Sequence, residues 1–554
     1  MGKLGSIAAV VRQKASDKTF EVKVLHEAGI AALHRPDKAA KVVSALVRWG
    51  ASPALGITTA AIHHPHETAV IDERGSLSFE ALHRRSNALA HAFEQMGIGY
   101  GDGIGIMCRN HRGFIEATLA AAKLGASALY LNTMFAGPQL VEVTRREGPK
   151  ALVYDEEFAG LLDDVEEGIQ RIVAWTEGEP EAPTLDSLIA SAGDDDLKPP
   201  PDKPRFVILT SGTTGTPKGA QRSSPDGLFA MAAIIDRIPY RSRDTMMIAA
   251  PLFHSWGFFH FIMSLPTAST IVLRRRFDPE GTLAAVQEHR AQVLAVVPVM
   301  LQRILQLPEQ TLASYDLSSL RITSLSGSAL PGELAVEWMD RFGDNIYNLY
   351  GSTEVAYATV ATPAELRAAP GTAGRPPRGT VVRLYDEAGR EVPRGEVGRI
   401  FVGNEMSFEG YTGGGGKDEI DGLLSSGDVG HLDAGGRLFI DGRDDEMIVS
   451  GGENVFPREV EDLLADHEAV VEVAVIGVED EEYGQRLKAF VVVAEEAEVS
   501  DEELKAHVKA HLAGYKAPRE IEFIAELPRN ASGKILKKDL RAREAEKSAK
   551  GPSR

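Results

Sequence analysis

Phe206-Val-Ile-Leu-Thr210-Ser-Gly-Thr-Thr-Gly-Thr-Pro-Lys-Gly219 is the stretch on which the reading of this 554-residue chain turns. Phe206 to Thr210 are apolar or β-branched and predict a buried strand. That strand feeds a loop of small, hydroxyl-bearing and cationic residues. Its glycines, Gly212, Gly215 and Gly219, let backbone N–H groups come close to phosphate oxygens. The hydroxyls of Thr210, Ser211, Thr213, Thr214 and Thr216 can donate hydrogen bonds, and Lys218 adds a positive charge. The spacing is not that of a Walker A loop. Counting from Gly212, Pro217 stands where the second glycine belongs, and Gly219 rather than a hydroxyl follows the lysine. The loop reads as a polyphosphate cradle of another kind.

Outward from the loop, short apolar runs alternate with stretches of helical spacing. Residues 69–72 and 75–79 predict a strand pair about a turn, 79–96 a helix, 104–107 a strand and 114–124 a helix. Residues 128–131 and 293–297 read as further core strands. The alternation predicts parallel α/β architecture. The acidic, proline-rich run 194–204 reads as a surface loop. The texture turns β-rich over 380–402. Beyond Asp441-Gly-Arg-Asp-Asp445 a compact α+β pattern follows: helix 459–464, strands 471–478 and 489–493, helix 501–512. The expected divisions are an N-terminal helical extension over 1–60, a large α/β domain with a β-rich part over 61–441, a hinge over 442–446 and a small α+β domain over 447–554. The charged tail from Arg541 is expected to fray.

Sixty Lys and Arg face eighty Asp and Glu, for a net charge of -20. Such a field repels nucleic acid and acidic lipid, so a phosphate site must be positive locally. Cys108 is the only cysteine, which leaves no intrachain disulfide, and nothing in the sequence suggests a cysteine metal site. The apolar run 42–62 is broken by Arg48 and Pro53 and is a poor spanning helix. It reads as a helix packed on the body, with a weak membrane-surface contact that meets a greasy substrate as the alternative. With no targeting or spanning segment, a cytoplasmic location is the expected default.

The loop 210–219 resembles the phosphate-binding signature of the acyl-adenylate-forming superfamily: acyl-CoA synthetases, peptide-synthetase adenylation domains and beetle luciferases. Further motifs follow in the family's order, over nearly the whole chain after residue 60. Tyr350-Gly351-Ser352-Thr353-Glu354 resembles the second motif. The resemblance implies that Thr353 contacts the phosphoryl region and that Glu354, with Thr213, holds Mg²⁺ beside the ATP phosphates. Gly327-Ser328-Ala329 resembles the segment lining the adenine and acyl pocket. Ser426-Gly-Asp428 and Arg443 resemble the pair that binds the ribose hydroxyls. Lys534, in Asn530-Ala-Ser-Gly-Lys534, matches the C-terminal catalytic lysine that bridges the carboxylate and the α-phosphate. Asp445 matches the hinge position, and Glu446 stands where Asp is usual. Ser450-Gly451-Gly452 resembles the strand edge lining the pantetheine tunnel, and Tyr515-Lys-Ala-Pro-Arg519 a late motif.

The resemblance implies two steps: a carboxylate attacks the α-phosphorus of ATP, then a thiol, coenzyme A, attacks the acyl-adenylate. It also implies that the C-terminal domain rotates between them. The acid is read from Pro251-Leu-Phe-His254-Ser-Trp-Gly-Phe-Phe259. No carboxylate stands there to pair an ammonium, which argues against an α-amino acid. Trp256, Phe258 and Phe259 suit an apolar acyl chain or ordinary core packing. His254 reads as a pocket gate or as a satisfied core histidine. The resemblance is closest to bacterial fatty-acyl-CoA synthetases for medium- or long-chain acids. A sterol side-chain acid or an aryl acid fits the same motifs. An acyl-AMP ligase that loads a carrier protein and a non-enzymatic nucleotide sensor are the other classes. The intact set Lys218, Glu354, Asp428, Arg443 and Lys534 argues against the sensor. A homodimer is left open.

Overall fold

The computed structural model describes residues 16–30, 36–202, 204–210, 218–222, 227–406, 408–412, 416–446, 448–450, 453–480, 484–494, 497–512, 514–530 and 533–550. The apolar run before the cradle forms the strand Phe206–Thr210. It pairs in parallel with Ser127–Tyr130 and antiparallel with Lys218–Arg222, in the register Leu209 to Gly219 and Thr210 to Lys218. The cradle therefore joins two arms of a hairpin, unlike the strand-to-helix setting of a Walker A loop.

That hairpin belongs to a seven-stranded sheet whose order is Phe408–Tyr411, Lys218–Arg222, Phe206–Thr210, Ser127–Tyr130, Gly103–Met107, Ala151–Asp155 and Gln170–Trp175. The last five pair in parallel. An eight-stranded sheet runs from Thr359–Ala361 through Ile346–Tyr350, Ile322–Leu325, Val293–Val296, Thr245–Ile248, Thr270–Leu273 and Thr68–Asp72 to Gly75–Ser78. All its internal pairings are parallel and its two outermost ones antiparallel. The helix Arg112–Leu124 contacts strands of both sheets and is buried from Gly113 to Leu124. Its alanines, Ala117 and 120–122, make a thin cylinder that a two-sided apolar contact requires. The expected parallel α/β core is present.

Two five-stranded sheets follow. The first, β-rich as expected, contains Val381–Tyr385, Gly398–Gly403, Leu423–Leu432, Glu419–Ile420 and Leu438–Arg443. The second contains Glu453–Val455, Ile448–Ser450, Gly484–Val493, Val470–Asp480 and Glu520–Phe523, with the helices Pro457–Ala465 and Asp501–His511 against it.

Two expectations need correction. The run 42–62 is two helices, Pro36–Trp49 and Pro53–His63. Ser52 caps the second by accepting from the Leu55 N–H, and Pro53 occupies its first turn, so the chain restarts there. The tail does not fray through residue 550: it forms the helix Lys537–Lys550. Leu540 is buried, and the buried Lys488 ammonium draws in Glu544 at 2.7 Å beside Glu520 at 2.6 Å. A buried ammonium is costly without such carboxylates, so the tail is tied down by charge as well as by Leu540. Among the described residues no helix is long and apolar enough to cross a membrane.

Candidate active site

The segment 350–354 leaves the end of the strand Ile346–Tyr350. Asn404 pins the turn that follows, its Nδ2 donating to the Val355 and Tyr357 carbonyls at 2.8 Å each. The Glu354 carboxylate accepts from the Ser352 hydroxyl at 2.9 Å and from the Tyr411 hydroxyl at 2.7 Å. Burial opposes its charge, but the Tyr411 hydroxyl, the Lys417 ammonium and the Ser352 hydroxyl outweigh burial and hold it below the usual carboxylate range. Tyr411 closes the strand that pairs with Lys218–Arg222, so the cradle's return arm and the Glu354 partner share one sheet edge.

Asp428 and Arg443 face each other across the antiparallel strands Leu423–Leu432 and Leu438–Arg443. Arg443 Nη1 donates to Asp428 Oδ1 at 3.2 Å, and the Tyr350 hydroxyl donates to Oδ2 at 2.5 Å. Burial lifts the Asp428 carboxyl above its ordinary value, against the pull of Arg443, Tyr350 and Lys534. On the first of these strands, next to Asp428, Gly427 sits beside two cations. Lys417 Nζ and Arg443 Nη2 are each 3.3 Å from where a Cβ would stand.

Lys534 arrives from the C-terminal part of the chain. Its N–H donates to Asn530 Oδ1 at 2.9 Å, and Asn530 N–H donates back to the Lys534 carbonyl at 2.9 Å. Arg529 ties the same turn by donating to the Gly533 carbonyl at 2.6 Å and pairing with Glu472 at 2.8 Å. Gly533, at φ +80°, lies directly against Val299, where a side chain would collide. A second crossing contact runs from Gln302 Nε2 to the Val471 carbonyl at 3.0 Å. The turn thus rests on the helix Pro298–Leu305, with the Lys534 charge acting on Asp428.

Residues 327–329, 350–354, Asp428, Arg443 and Lys534 line one cavity of about 1530 Å³. His254 and Phe258 line it too. His254 stands at the start of the helix Ser255–Ser264. Its Nε2 is buried without a hydrogen-bond partner among the described residues, and burial takes the imidazole down to about 4. A satisfied core histidine is therefore not what His254 is. That description fits His260, whose ring nitrogens meet the Tyr240 hydroxyl at 3.0 Å and the Trp256 carbonyl at 2.9 Å. The aromatic run also divides. Trp256 and Phe259 line the cavity too, but Trp256 is anchored, donating to the Val296 carbonyl at 3.1 Å and stacking on Phe259 at 5.4 Å. Phe258 is half-buried and leans on Tyr130 at 4.9 Å and Phe206 at 5.5 Å.

A family model described as AMP-binding enzyme matches residues 57–412, and one described as AMP-binding enzyme C-terminal domain matches residues 459–534. The chain belongs to the AMP-binding enzyme family. The chain is 34% identical to a feruloyl-CoA synthase of Amycolatopsis sp. over 495 residues, 86% of this chain and 96% of that one. It is 32% identical to the fatty acid–[acyl-carrier-protein] ligase ScoC of Streptomyces coeruleorubidus, over 87% of this chain and 94% of that one. The crystal structure of the anthranilate CoA ligase AuaEII in complex with anthranoyl-AMP superposes with a TM-score of 0.81 at 25% identity, covering 89% of this chain and 97% of that one. Aryl-acid and fatty-acid enzymes both stand among the relatives, so membership in this family does not single out a fatty acid.

Several of the expected site residues of this AMP-binding enzyme, Ser211, Gly212, Thr213, Thr214, Gly215, Thr216, Gly451 and Gly452, lie outside the described residues. The side chains of Thr210, Lys218 and Asp445 do so as well, while their backbones are in the hairpin and in the short turn Asp444–Glu446. Three residues of the site carry no motif: Asn404, Tyr411 and Lys417. The fold brings Asn404 to the Val355 and Tyr357 carbonyls, Tyr411 to Glu354 and Lys417 to Gly427.

Proposed function

We propose that this AMP-binding enzyme is an ATP-dependent acid:CoA ligase that works through an acyl-adenylate, on an acid with an apolar body. The observation that carries the proposal is one continuous cavity. It has Glu354, Asp428, Arg443 and Lys534 at one part and the His254–Phe259 segment, without a carboxylate, at another.

In this reading the loop 210–219 and Lys218 take the phosphates, and Asp428 and Arg443 take the ribose hydroxyls. The geometry of the pair suits a diol, since the Asp428 carboxylate keeps lone pairs beyond those used by Tyr350 and Arg443. The residues 327–329 flank the adenine and the acyl group. Glu354, with Thr213, would hold Mg²⁺. A carboxylate kept ionised by Tyr411, Lys417 and Ser352 fits a hard cation that takes oxygen ligands. Bound there, the ion would offset the charge of the phosphate oxygens.

Lys534 would bridge the substrate carboxylate and the α-phosphate as the carboxylate oxygen attacks phosphorus and pyrophosphate leaves. Its place in the same cavity as Asp428, on whose carboxyl its charge acts, suits that first step. The second step, thiol attack on the acyl carbon with AMP as leaving group, would follow rotation about Asp445. Gly451 and Gly452 would then flank the pantetheine chain.

The test is AMP release with and without CoA, over straight-chain and aryl acids. CoA-dependent release supports a CoA ligase. Release that needs a carrier protein and ignores CoA replaces the acceptor, a reading favoured by the likeness to ScoC. No adenylate with any acid discards the reading.

A further inference from the structure

We propose that the helix Pro36–Trp49, with the first turn of Pro53–His63, is an acid-length gauge that fits this enzyme to long apolar acids. The inference rests on the acid-activating function above and names its substrate class. The match to the AMP-binding family begins at residue 57, so the helix Pro36–Trp49 lies wholly upstream of it. Yet Val42 and Leu46 on that helix, and Leu55 and Gly56 on the next, line the cavity that His254 and Lys534 also line. Ile262 and Leu265 line it as well, so this end of the cavity is apolar.

The wall is fixed at both ends. Lys38 Nζ donates to the His63 carbonyl at 2.9 Å. Arg48 pairs with Asp196 at 3.0 Å and donates to the Leu197 carbonyl. Ala45 and Trp49 are buried, and Ser52 Oγ donates to the Trp49 carbonyl at 2.9 Å. Gly56 lets the second helix press onto Leu265, since a Cβ there would stand 2.7 Å from the Leu265 Cβ. Segments held this firmly shape the cavity rather than lie over it. Leu46 lines the cavity with 50% of its surface exposed, so the far end is a rim and not a floor. A short or aryl acid leaves this end without contacts. A long chain fills it, and each methylene buried there raises kcat/KM by roughly three- to fourfold until the chain passes Leu46.

The experiment measures kcat/KM for CoA-dependent AMP release with short, medium and long straight-chain acids and an aryl acid. The proteins are the wild type, Val42→Phe, Leu46→Trp and the control Val47→Ser. Val47 is 83% exposed and does not line the cavity. The expected result is a rise with chain length in the wild type and in V47S. In V42F and L46W the long-acid value falls about tenfold or more while the short-acid value stays within about twofold. Retained short-acid turnover shows that the variants fold. A wild type that prefers short or aryl acids, or a long-to-short ratio unchanged in both cavity variants, overturns the gauge and leaves the ligase intact. No turnover of any acid by the wild type overturns the ligase itself.

Discussion

His254 and His260 belong to the same short helical segment and meet opposite conditions. His260 has both ring nitrogens within reach of partners, and the Tyr240 hydroxyl continues to Ser324 at 2.7 Å. His254 Nε2 has none among the described residues and lines the cavity. Burial takes both imidazoles from 6.5 down to about 4. The unfolded chain therefore binds more protons than the folded chain between about pH 6.5 and 4. Stability falls as pH drops through that window and is fully present above it. Replacing His254 by Leu removes one of the two groups. The plot of urea midpoint against pH should become flatter over that window, by an amount equal to roughly 1–3 kcal/mol at its acid end. A variant whose slope matches the wild type would contradict the neutral, buried state of His254.

At the scale of elements, the return arm of the cradle hairpin is closely packed. Gly219 sits between its own sheet neighbour and the next strand. A Cβ there would stand 2.5 Å from Val207 Cγ1 and 2.7 Å from Thr412 Oγ1. Thr412 Oγ1 also accepts from the Gly219 N–H at 3.0 Å and donates to Glu147 at 2.6 Å. Gly219→Ala should therefore cost about 1–3 kcal/mol of stability in denaturant melts and weaken nucleotide binding through the misplaced return arm. Full retention of both would show that the hairpin has room to spare. This close approach also explains why a glycine, not a hydroxyl residue, follows Lys218.

The same elements show what could be read from the chain alone. The strand before the cradle, the helix at 112–124 and the α+β pattern after Asp445 are written as local periodicity, so they were legible. Glu354, Asp428, Arg443 and Lys534, which line one cavity, stand in short motifs of the sequence. Asn404, Tyr411 and Lys417 were not legible, because each sits alone in an ordinary strand end or loop and meets its partners only through contacts over long sequence distances. The tail helix Lys537–Lys550 was hidden for a related reason. Its charge looks like a solvated end until Lys488, some fifty residues earlier, is seen to be buried.

For the whole molecule, the chain carries a net charge of -20, yet Lys417, Arg443 and Lys534 all line the cavity. Two come from the β-rich sheet region and one from the C-terminal part, so these three cations come together only when both parts meet. The meeting is specific: Gly533 rests on Val299, Gln302 reaches Val471, and Glu446 in the turn Asp444–Glu446 pairs with Lys537 at 3.1 Å. Glu446 thereby holds the start of the helix that follows Lys534. On this account the adenylating step belongs to the arrangement seen, and the thioester step to another.

The most direct test separates the two steps in Lys534→Ala. Pyrophosphate release with ATP and acid reports the first, and acyl-CoA formation from supplied acyl-adenylate and CoA reports the second. The expected result is a fall of about a hundred- to a thousandfold in the first, with the second within about tenfold of wild type. Equal loss in both steps, or an unchanged first step, would contradict it.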